Sequence, residues 1–285
     1  MSEVDATPVL EEVRGPSALG GGSRRFFDLL WLISVTEFRR VYFGTVLGYL
    51  WSLIRPLMLF GVLLFVFTQV FRATSKGVEH YPVLLLLGIV IFTFFQESTT
   101  NAVTSVAAQE GVVRKTQFPR LVIPLSTVLT GLFNFGLNLI IVLIFLFAFG
   151  VDPSWTWLLF PLVVVFLFAL TAAVGMGLSV LYVRFRDVAI IWTVVAQVLF
   201  YATPILYTVE FKESLTFHRL MLINPLAVVM TQVRVWILNE SDAPSAAHAA
   251  GGWIWLLPAA VVFVGVCGLG AWLFGREAPR IAEDL

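Results

Sequence analysis

The chain has 285 residues, of which 59% are hydrophobic and 13% charged, with a mean hydropathy of +0.92 and a formal net charge of zero. No soluble domain of this length is so apolar, so the composition excludes a water-soluble enzyme and predicts an all-α, polytopic membrane protein. The single cysteine, Cys267, excludes an intrachain disulfide and lies in an apolar run, where a small buried side chain fits.

The N-terminal region divides into an acidic tail and an amphipathic helix. Residues 1–23 carry more acidic than basic residues and end in a glycine-rich run, which is typical of a disordered cytoplasmic tail. Residues 24–42 place Phe27, Leu30 and Trp31 near one helical face between flanking arginines, so they predict a helix lying in the cytoplasmic interface. A plain surface anchor and a contact with a partner protein both fit this helix.

Six apolar runs are long enough to cross a bilayer, which takes about 20 residues. We expect these spans at about 50–71, 83–106, 122–149, 157–183, 188–206 and 254–275. The region 207–253, which separates the last two spans, holds a further apolar run at 220–238. Pro225 and Arg234 make that run a poor span.

The distribution of basic residues favours six spans over seven. Six spans place 13 of the 18 basic residues on the cytoplasmic side: Arg14, Arg24, Arg25, Arg39, Arg40, Arg55, Arg114, Lys115, Arg120, Arg184, Arg186, Arg276 and Arg280. A seventh span at 220–238 would weaken that bias, and basic residues concentrate in short cytoplasmic loops, so both termini are expected in the cytoplasm. The run 220–238 then becomes a re-entrant pair of half-helices broken near Asn224 and Pro225, which indicates a pore or gate at the outer end.

A basic segment, EGVVRKTQFPRLVIP at 110–124, separates the second and third spans. Its three basic residues fix the loop on the cytoplasmic side, and Phe118-Pro119 breaks any helix there. We predict that residues 107–121 form a coupling loop, a compact knob that receives mechanical input from another protein.

Few residues in the chain indicate chemistry of their own. There is no G-x-x-x-x-G-K-[ST] motif, so the chain does not bind a nucleotide through a P-loop, and its three histidines lack metal-ligand spacing. Glu97 lies within the second span, where an ionisable group must face protein or water. It is either a substrate contact or a buried hydrogen-bond partner, and the shortage of such groups argues against a proton-driven carrier.

Several short motifs follow one another in a fixed order. They are Arg40-x-Tyr42-x-x-Thr45-x-x-Gly48-x-x-Trp51-x-x-x-x-Pro56, Lys115-x-x-Phe118-Pro119-Arg120-x-x-x-Pro124, Arg184-x-Arg186-Asp187, Ala202-Thr203-Pro204-Ile205-x-Tyr207, and Asn224-Pro225-Leu226 followed by Arg234. Together they resemble the permease subunits of type-two ABC exporters, in the branch that exports polysaccharides and polyol phosphates such as O-antigen, teichoic acid and galactan. The resemblance extends over nearly all of residues 24–275, which would form one transmembrane permease domain before a cytoplasmic tail at 276–285.

The resemblance implies a division of labour between subunits. A homodimer of this permease would pair with two copies of a cytoplasmic ATP-binding subunit, which would bind ATP and Mg and hydrolyse the nucleotide. This chain would be no enzyme and would hold no cofactor or metal. Its partners would be a glycan on polyprenyl diphosphate and membrane lipid, with no nucleic acid, and it would lie in the bacterial plasma (inner) membrane.

The resemblance also assigns expected roles to individual residues. Coupling to the ATPase is assigned to Glu110, Arg114, Lys115, Phe118, Pro119, Arg120, Arg39, Arg40 and Tyr42, and the second cytoplasmic loop to Arg184, Arg186 and Asp187. The channel-lining candidates are Trp51, Glu97, Trp192, Phe200 and Tyr201, since aromatic rings suit the flat faces of sugars. The outer-gate candidates are Pro204, Tyr207, Asn224, Pro225 and Arg234.

Two other functions compete with polysaccharide export. A type-two permease for a small lipid or drug would share the same loops. A membrane-embedded, lipid-linked glycosyltransferase would need acidic residues grouped in a sizeable loop. The acidic residues Asp187, Glu210, Glu213, Glu240 and Asp242 form no such constellation in the sequence.

Overall fold

The computed structural model describes residues 22–42, 48, 50–70, 80–111, 119–207, 214–238 and 245–277, and these residues confirm the all-α class. The α-helices are α1 (Gly22–Tyr42), α2 (Leu50–Phe65), α3 (Tyr81–Ala108), α4 (Val122–Ala148), α5 (Phe160–Arg184), α6 (Val188–Ala202), α7 (Leu215–Met221), α8 (Pro225–Leu238), α9 (Ala246–Ala250) and α10 (Leu257–Glu277). A π-helical turn, Val66–Val70, prolongs α2, and the 3₁₀ turns Trp155–Leu159 and Trp253–Leu256 lead into α5 and α10.

Five of the six expected spans are confirmed as single long helices. In the described part of the chain, the helices long and apolar enough to cross a membrane are Leu50–Gln69, Tyr81–Ala108, Val122–Ala148, Trp155–Arg184 and Trp253–Glu277. Their bounds agree with the apolar runs in the sequence to within a few residues, because a bilayer requires every backbone polar group to be satisfied within the helix.

The remaining span, expected at 188–206, is helical only in its first part. Helix α6 ends at Ala202 after 15 residues, or about 22 Å, because Thr203 adopts extended backbone before Pro204. That length falls short of the roughly 30 Å hydrocarbon core. The helical part of the span expected at 188–206 therefore ends four residues before the apolar run does.

The polypeptide nevertheless continues along α3 beyond the end of α6. Phe200 packs edge-on against Phe92, with ring centroids 5.3 Å apart. Further along, the hydroxyl of Tyr81, the first residue of α3, donates a hydrogen bond of 3.0 Å to the carbonyl oxygen of Leu206. Residues 188–206 thus run antiparallel to α3 as far as its N-terminus, and the non-helical residues 203–206 form the last part of this run.

Helix α3 is the central element of the bundle. It packs against α2, α4, α5 and α6. Of the residues in its most apolar stretch, 78% are buried, whereas the corresponding share is 11% for α2 and for α10. Among the five long helices, α3 is also the least apolar. The least apolar of the long helices is thus the one most enclosed by protein, where polar side chains are tolerated better than against lipid.

Small residues allow the helices around α3 to approach closely. A Cβ atom at Gly131 of α4 would collide with the Ser98 hydroxyl of α3. A Cβ at Gly270 of α10 would collide with the Ala173 carbonyl of α5. Such close backbone approach provides the van der Waals packing that holds membrane helices together in the absence of a hydrophobic driving force.

Helix α1 packs across α4, and the rings of Trp31 and Phe38 lie edge-on to Phe133 of α4 with centroids 5.4 and 5.6 Å away. Leu30 and Ser34 are buried, and the Ser34 hydroxyl lies 3.3 Å from the carbonyl of Ser126. Phe27 and Trp31 are 62% and 59% exposed. The helix expected at 24–42 is present, although Phe27 and Leu30 do not share one covered face, and its position at the membrane interface stays a prediction.

Helices α7 and α8 form a bent pair, as the Asn224-Pro225 break in the sequence indicated. Their axes meet at 109°. α7 packs on α9, which precedes α10, and α8 ends beside the turn that leads into α5. Both outer ends of the pair therefore lie at the same end of the bundle, which is the arrangement of a re-entrant element and not of a crossing helix.

Candidate functional site

One end of the bundle, here called the arginine-rich end, carries both loops that the sequence assigned to coupling. The ends of α3, α4, α5 and α10 meet in a small apolar cluster formed by Val106, Ile123, Val180, Val183 and Phe274. Arg120, Arg184 and Arg186 lie in the turns that extend from this cluster. The structure thus brings both described ends of the first loop, residues 107–111 and 119–121, and the second loop, at 184–187, to one end.

Of the coupling candidates in the first loop, the structure describes Glu110, Pro119 and Arg120, and each is partly buried. Arg114, Lys115 and Phe118 lie outside the described residues. On α1, Arg39 and Arg40 are exposed, and Arg40 forms an ion pair of 3.3 Å with Glu37 one turn earlier; Tyr42 is the last residue of that helix. The coupling role of all these residues stays a prediction.

The second loop presents its charges to the outside. Arg184 and Arg186 are exposed, and their guanidinium groups lie over the rings of Phe185 and Tyr182 at 5.5 and 5.0 Å from the centroids. Asp187 is exposed directly before α6, where a carboxylate is favoured by the helix dipole. These charges are available to a partner on this face.

The opposite end, here called the re-entrant end, contains the break between α7 and α8. The Asn224 side-chain oxygen accepts a hydrogen bond of 3.0 Å from the Leu226 backbone N–H, and its amide donates one of 3.0 Å to the Thr203 hydroxyl. Pro225 is the first residue of α8, a position where its missing N–H costs nothing. Asn224 therefore caps α8 and ties the elbow to the end of α6.

A small cavity lies beside this elbow. It has a volume of about 30 Å³ and is lined by Pro204, Tyr207, Arg234 and neighbouring residues of α3 and α8. Arg234 is buried, and the Tyr207 hydroxyl donates to the Tyr201 carbonyl at 2.9 Å. Burial raises the pKa of Tyr207, so its hydroxyl stays protonated and keeps this donor role. The space is large enough for a water molecule but too small for a sugar.

Side chains that the sequence did not single out anchor the re-entrant end. The Trp157 indole donates to the Ile237 carbonyl at 2.9 Å, and the neighbouring Thr156 hydroxyl donates to the Trp236 carbonyl. On the other side of the elbow, Arg219 donates to the Ala250 carbonyl at 3.0 Å. These partners are 31 to 80 residues apart in sequence, so no local pattern could have identified them.

The channel-lining candidates divide into buried and exposed groups. Trp192 and Phe200 are buried against α3, and the Trp192 indole donates to the Thr99 hydroxyl at 3.0 Å. Trp51 and Tyr201 are exposed. The buried pair packs within the bundle of this chain, so the rings open to a path are Trp51 and Tyr201, and their contact with substrate stays a prediction.

The fifth candidate, Glu97, forms an ion pair of 3.3 Å with Arg55 of α2. The sequence placed Arg55 among the cytoplasmic-side charges, whereas the structure places it beside the middle of α3. The Arg55 side chain is 76% exposed and that of Glu97 43%. The sequence did not indicate that Arg55 belongs to a site, because its partner Glu97 is 42 residues away.

No group of three or more His, Cys, Asp or Glu side chains that could hold a metal ion occurs within the part of the chain that the structure describes. The arginine-rich end exposes charged side chains that can contact a partner, and the re-entrant end is held by side chains that donate hydrogen bonds to backbone carbonyls.

Comparisons with known proteins agree with this arrangement. The sequence signature of the family described as "ABC-2 type transporter" matches residues 28–238. The O-antigen export system permease protein RfbA of Klebsiella pneumoniae is 33% identical over 214 residues, which cover 75% of this chain and 81% of that relative. The protein of the same name from Myxococcus xanthus is 31% identical over 250 residues, which cover 87% and 92%. The chain therefore belongs to the ABC-2 type transporter family, as the ordered motifs indicated.

Proposed function

We propose that this chain is the membrane subunit of an ATP-driven exporter that moves a lipid-linked polysaccharide of the O-antigen type out of the cytoplasm. The observation that carries this proposal is the similarity to two O-antigen export permeases over most of both chains. The sequence has no P-loop, so the energy comes from ATP and Mg bound by a separate ATPase subunit.

The arginine-rich end faces the cytoplasm and docks the ATPase. An excess of arginine on one side is the usual signature of the cytoplasmic face. The two loops there, together with α1, offer exposed guanidinium groups to acidic residues of a partner. The inner membrane of a bacterium is the corresponding location, with both termini in the cytoplasm.

Two copies of the permease enclose the path between them. Helices α2 and α6 leave large apolar faces uncovered, which include Met58, Val62, Phe65, Ile190, Val194 and Val198. Closure of the ATPase would push the knob at 107–121 and shift α2 and α6, which have fewer neighbours than α3. The re-entrant pair, held by Asn224 and anchored to Thr203, forms the outer gate.

Two measurements test this function. The purified chain alone should hydrolyse no ATP, whereas the chain purified with its partner ATPase should. In cells that lack the gene, lipid-linked polymer should accumulate inside and surface polymer should disappear, and the chain should restore export only together with the ATPase. Export that persists without the ATPase, or turnover by a preparation free of that subunit, contradicts the proposal.

A further inference from the structure

The second half of α3 exposes a narrow polar stripe. The first half of the helix, from Tyr81 to Phe95, is apolar and almost entirely buried. Beyond it, Glu97 is half-exposed and Thr100, Asn101 and Thr104 are exposed. The spacing of three and four residues puts all four on one side of the helix. The stripe leads from the arginine-rich end towards the centre of the bundle.

The ion pair at the inner end of the stripe lies too deep to face lipid. Glu97 is about 16 Å along the helix axis from the end of α3 at Ala108. Helix α3 has 28 residues and is about 42 Å long, so when it is centred in a hydrocarbon core of about 30 Å, Glu97 lies about 10 Å inside the boundary, where a charged group is retained only against protein, water or a polar ligand. Arg55 and Glu97 keep much of their surface uncovered by this chain, so the groups that solvate them lie outside it.

Helix α2 adds an aromatic ring at the same level. The α2 residue Phe60 packs against Phe145, near the re-entrant end of α4, so α2 runs antiparallel to α3. Trp51 precedes Arg55 by one turn and is exposed, which sets it level with Asn101 along the bundle axis. The stripe therefore combines a guanidinium, a carboxylate, an amide, two hydroxyls and an indole.

We infer that this stripe binds the head group of the lipid-linked substrate: its diphosphate at Arg55, and its first sugar along Glu97, Asn101 and Trp51. The guanidinium fork matches phosphate oxygens. Carboxylate and amide groups bond sugar hydroxyls, and an indole stacks on the apolar face of a sugar ring. Glu97 holds Arg55 in place through one nitrogen and leaves its other donors to the phosphate. The inference rests on the proposed export function and assigns the place where the substrate enters.

The test uses the complex of this chain with its ATPase in lipid nanodiscs and measures substrate-stimulated ATP hydrolysis. The probes are a polyprenyl diphosphate that carries one sugar and the same lipid without the sugar. Arg55→Gln should raise the half-maximal concentration of both probes at least tenfold. Asn101→Ala should raise it several-fold for the sugar-bearing probe alone. Asp152→Asn, which removes an exposed charge at the re-entrant end and away from the stripe, is the control and should change neither.

A charge swap separates a ligand site from a structural strut. Arg55→Glu combined with Glu97→Arg preserves an ion pair between α2 and α3 but moves the positive charge. Recovery of wild-type stimulation by the swap, or an unchanged response of Arg55→Gln, would overturn the head-group site while leaving the export function intact. Loss of pairing between permease copies in Arg55→Gln would make the stripe an interface and also overturn it. A wild-type complex that neither probe stimulates would instead contradict the export function itself.

Discussion

The two ends of the bundle differ in how their polar side chains are used. At the arginine-rich end, Arg184, Arg186 and Arg40 are exposed, and within the described part of the chain their contacts are with nearby side chains. At the re-entrant end, Trp157 and Arg219 donate to backbone carbonyls of distant segments. Exposed ion pairs contribute little to stability, whereas partly buried hydrogen bonds are costly to lose. The first end is thus suited to exchanging partners and the second to holding one conformation.

This contrast matches the proposed division into a coupling face and a gate. A coupling face must bind and respond to another subunit, so its charges have to be accessible. A gate must stay closed between cycles, and the elbow at Asn224 is tied to Thr203 for that purpose. The following predictions test whether the two ends really differ in this way.

The largest effect expected is the all-or-none accessibility of the two ends. In a Cys267→Ala background, cysteines placed at Ser214 and Ser241 should both react with an impermeant reagent added outside the cell. A cysteine at Glu277, at the arginine-rich end, should react only after the membrane is opened. Labelling from outside at only one of the two serine positions would mean that residues 215–238 cross the membrane.

Next in size is the effect of removing one ring from the coupling loop. Phe118→Ala keeps every charge of the loop, yet a buried aromatic anchor at an interface is worth roughly 2 kcal/mol, or about 30-fold in affinity. We expect normal membrane insertion, weak pull-down of the ATPase and little export. Phe149→Ala, which truncates a partly exposed ring at the re-entrant end, is the control and should bind the ATPase normally.

The alternative for this loop is purely electrostatic. If its basic residues serve only to bind anionic lipid, at about 1 kcal/mol each, Phe118→Ala should bind the ATPase and export polymer as the wild type does. Arg114→Lys sharpens the distinction, because it keeps the charge and the orientation but loses the planar fork that pairs with a carboxylate.

A smaller effect is expected from Pro225→Ala at the elbow. Alanine restores a backbone N–H at position 225 and relaxes the restriction on Asn224, so the break between α7 and α8 becomes less well defined. Export should fall several-fold while the ATPase still co-purifies. Pro153→Ala changes an exposed proline at the same end and should leave export unchanged. Equal export by both variants would remove the elbow from the mechanism.

The features that the sequence predicted well are those that depend on local composition. Long apolar runs had to become helices, because a bilayer offers no partner for free backbone groups. The break between α7 and α8 could also be predicted, because an asparagine caps the start of a helix and a proline is favoured at its first position. The early end of α6 at Ala202 follows from Thr203-Pro204, which an apolar count over 188–206 does not register.

The features that were missed depend on which helices become neighbours. Arg55 was counted among the cytoplasmic-side charges without a partner, and the antiparallel packing of α2 on α3 sets it beside Glu97. Trp192 is an aromatic residue of the type expected to line a sugar path. The packing of α6 on α3 buries its ring, and its indole donates to Thr99. Both outcomes depend on tertiary packing. The sequence of one helix does not show which of its faces a neighbouring helix will cover.

The smallest effect concerns a single anchor of the re-entrant end. Trp157→Phe keeps most of the ring volume but removes the indole N–H that donates to the Ile237 carbonyl at 2.9 Å. A hydrogen bond of this kind contributes about 1 kcal/mol, so the thermal unfolding midpoint of the purified complex should fall slightly while export persists. Trp155→Phe is the matched control two residues away, since its ring is 87% exposed, and it should not shift the midpoint. Equal midpoints for the two variants would mean that the bond at Trp157 adds nothing to the stability of the re-entrant end, which would then rest on the elbow at Asn224 and on the bonds of Thr156 and Arg219.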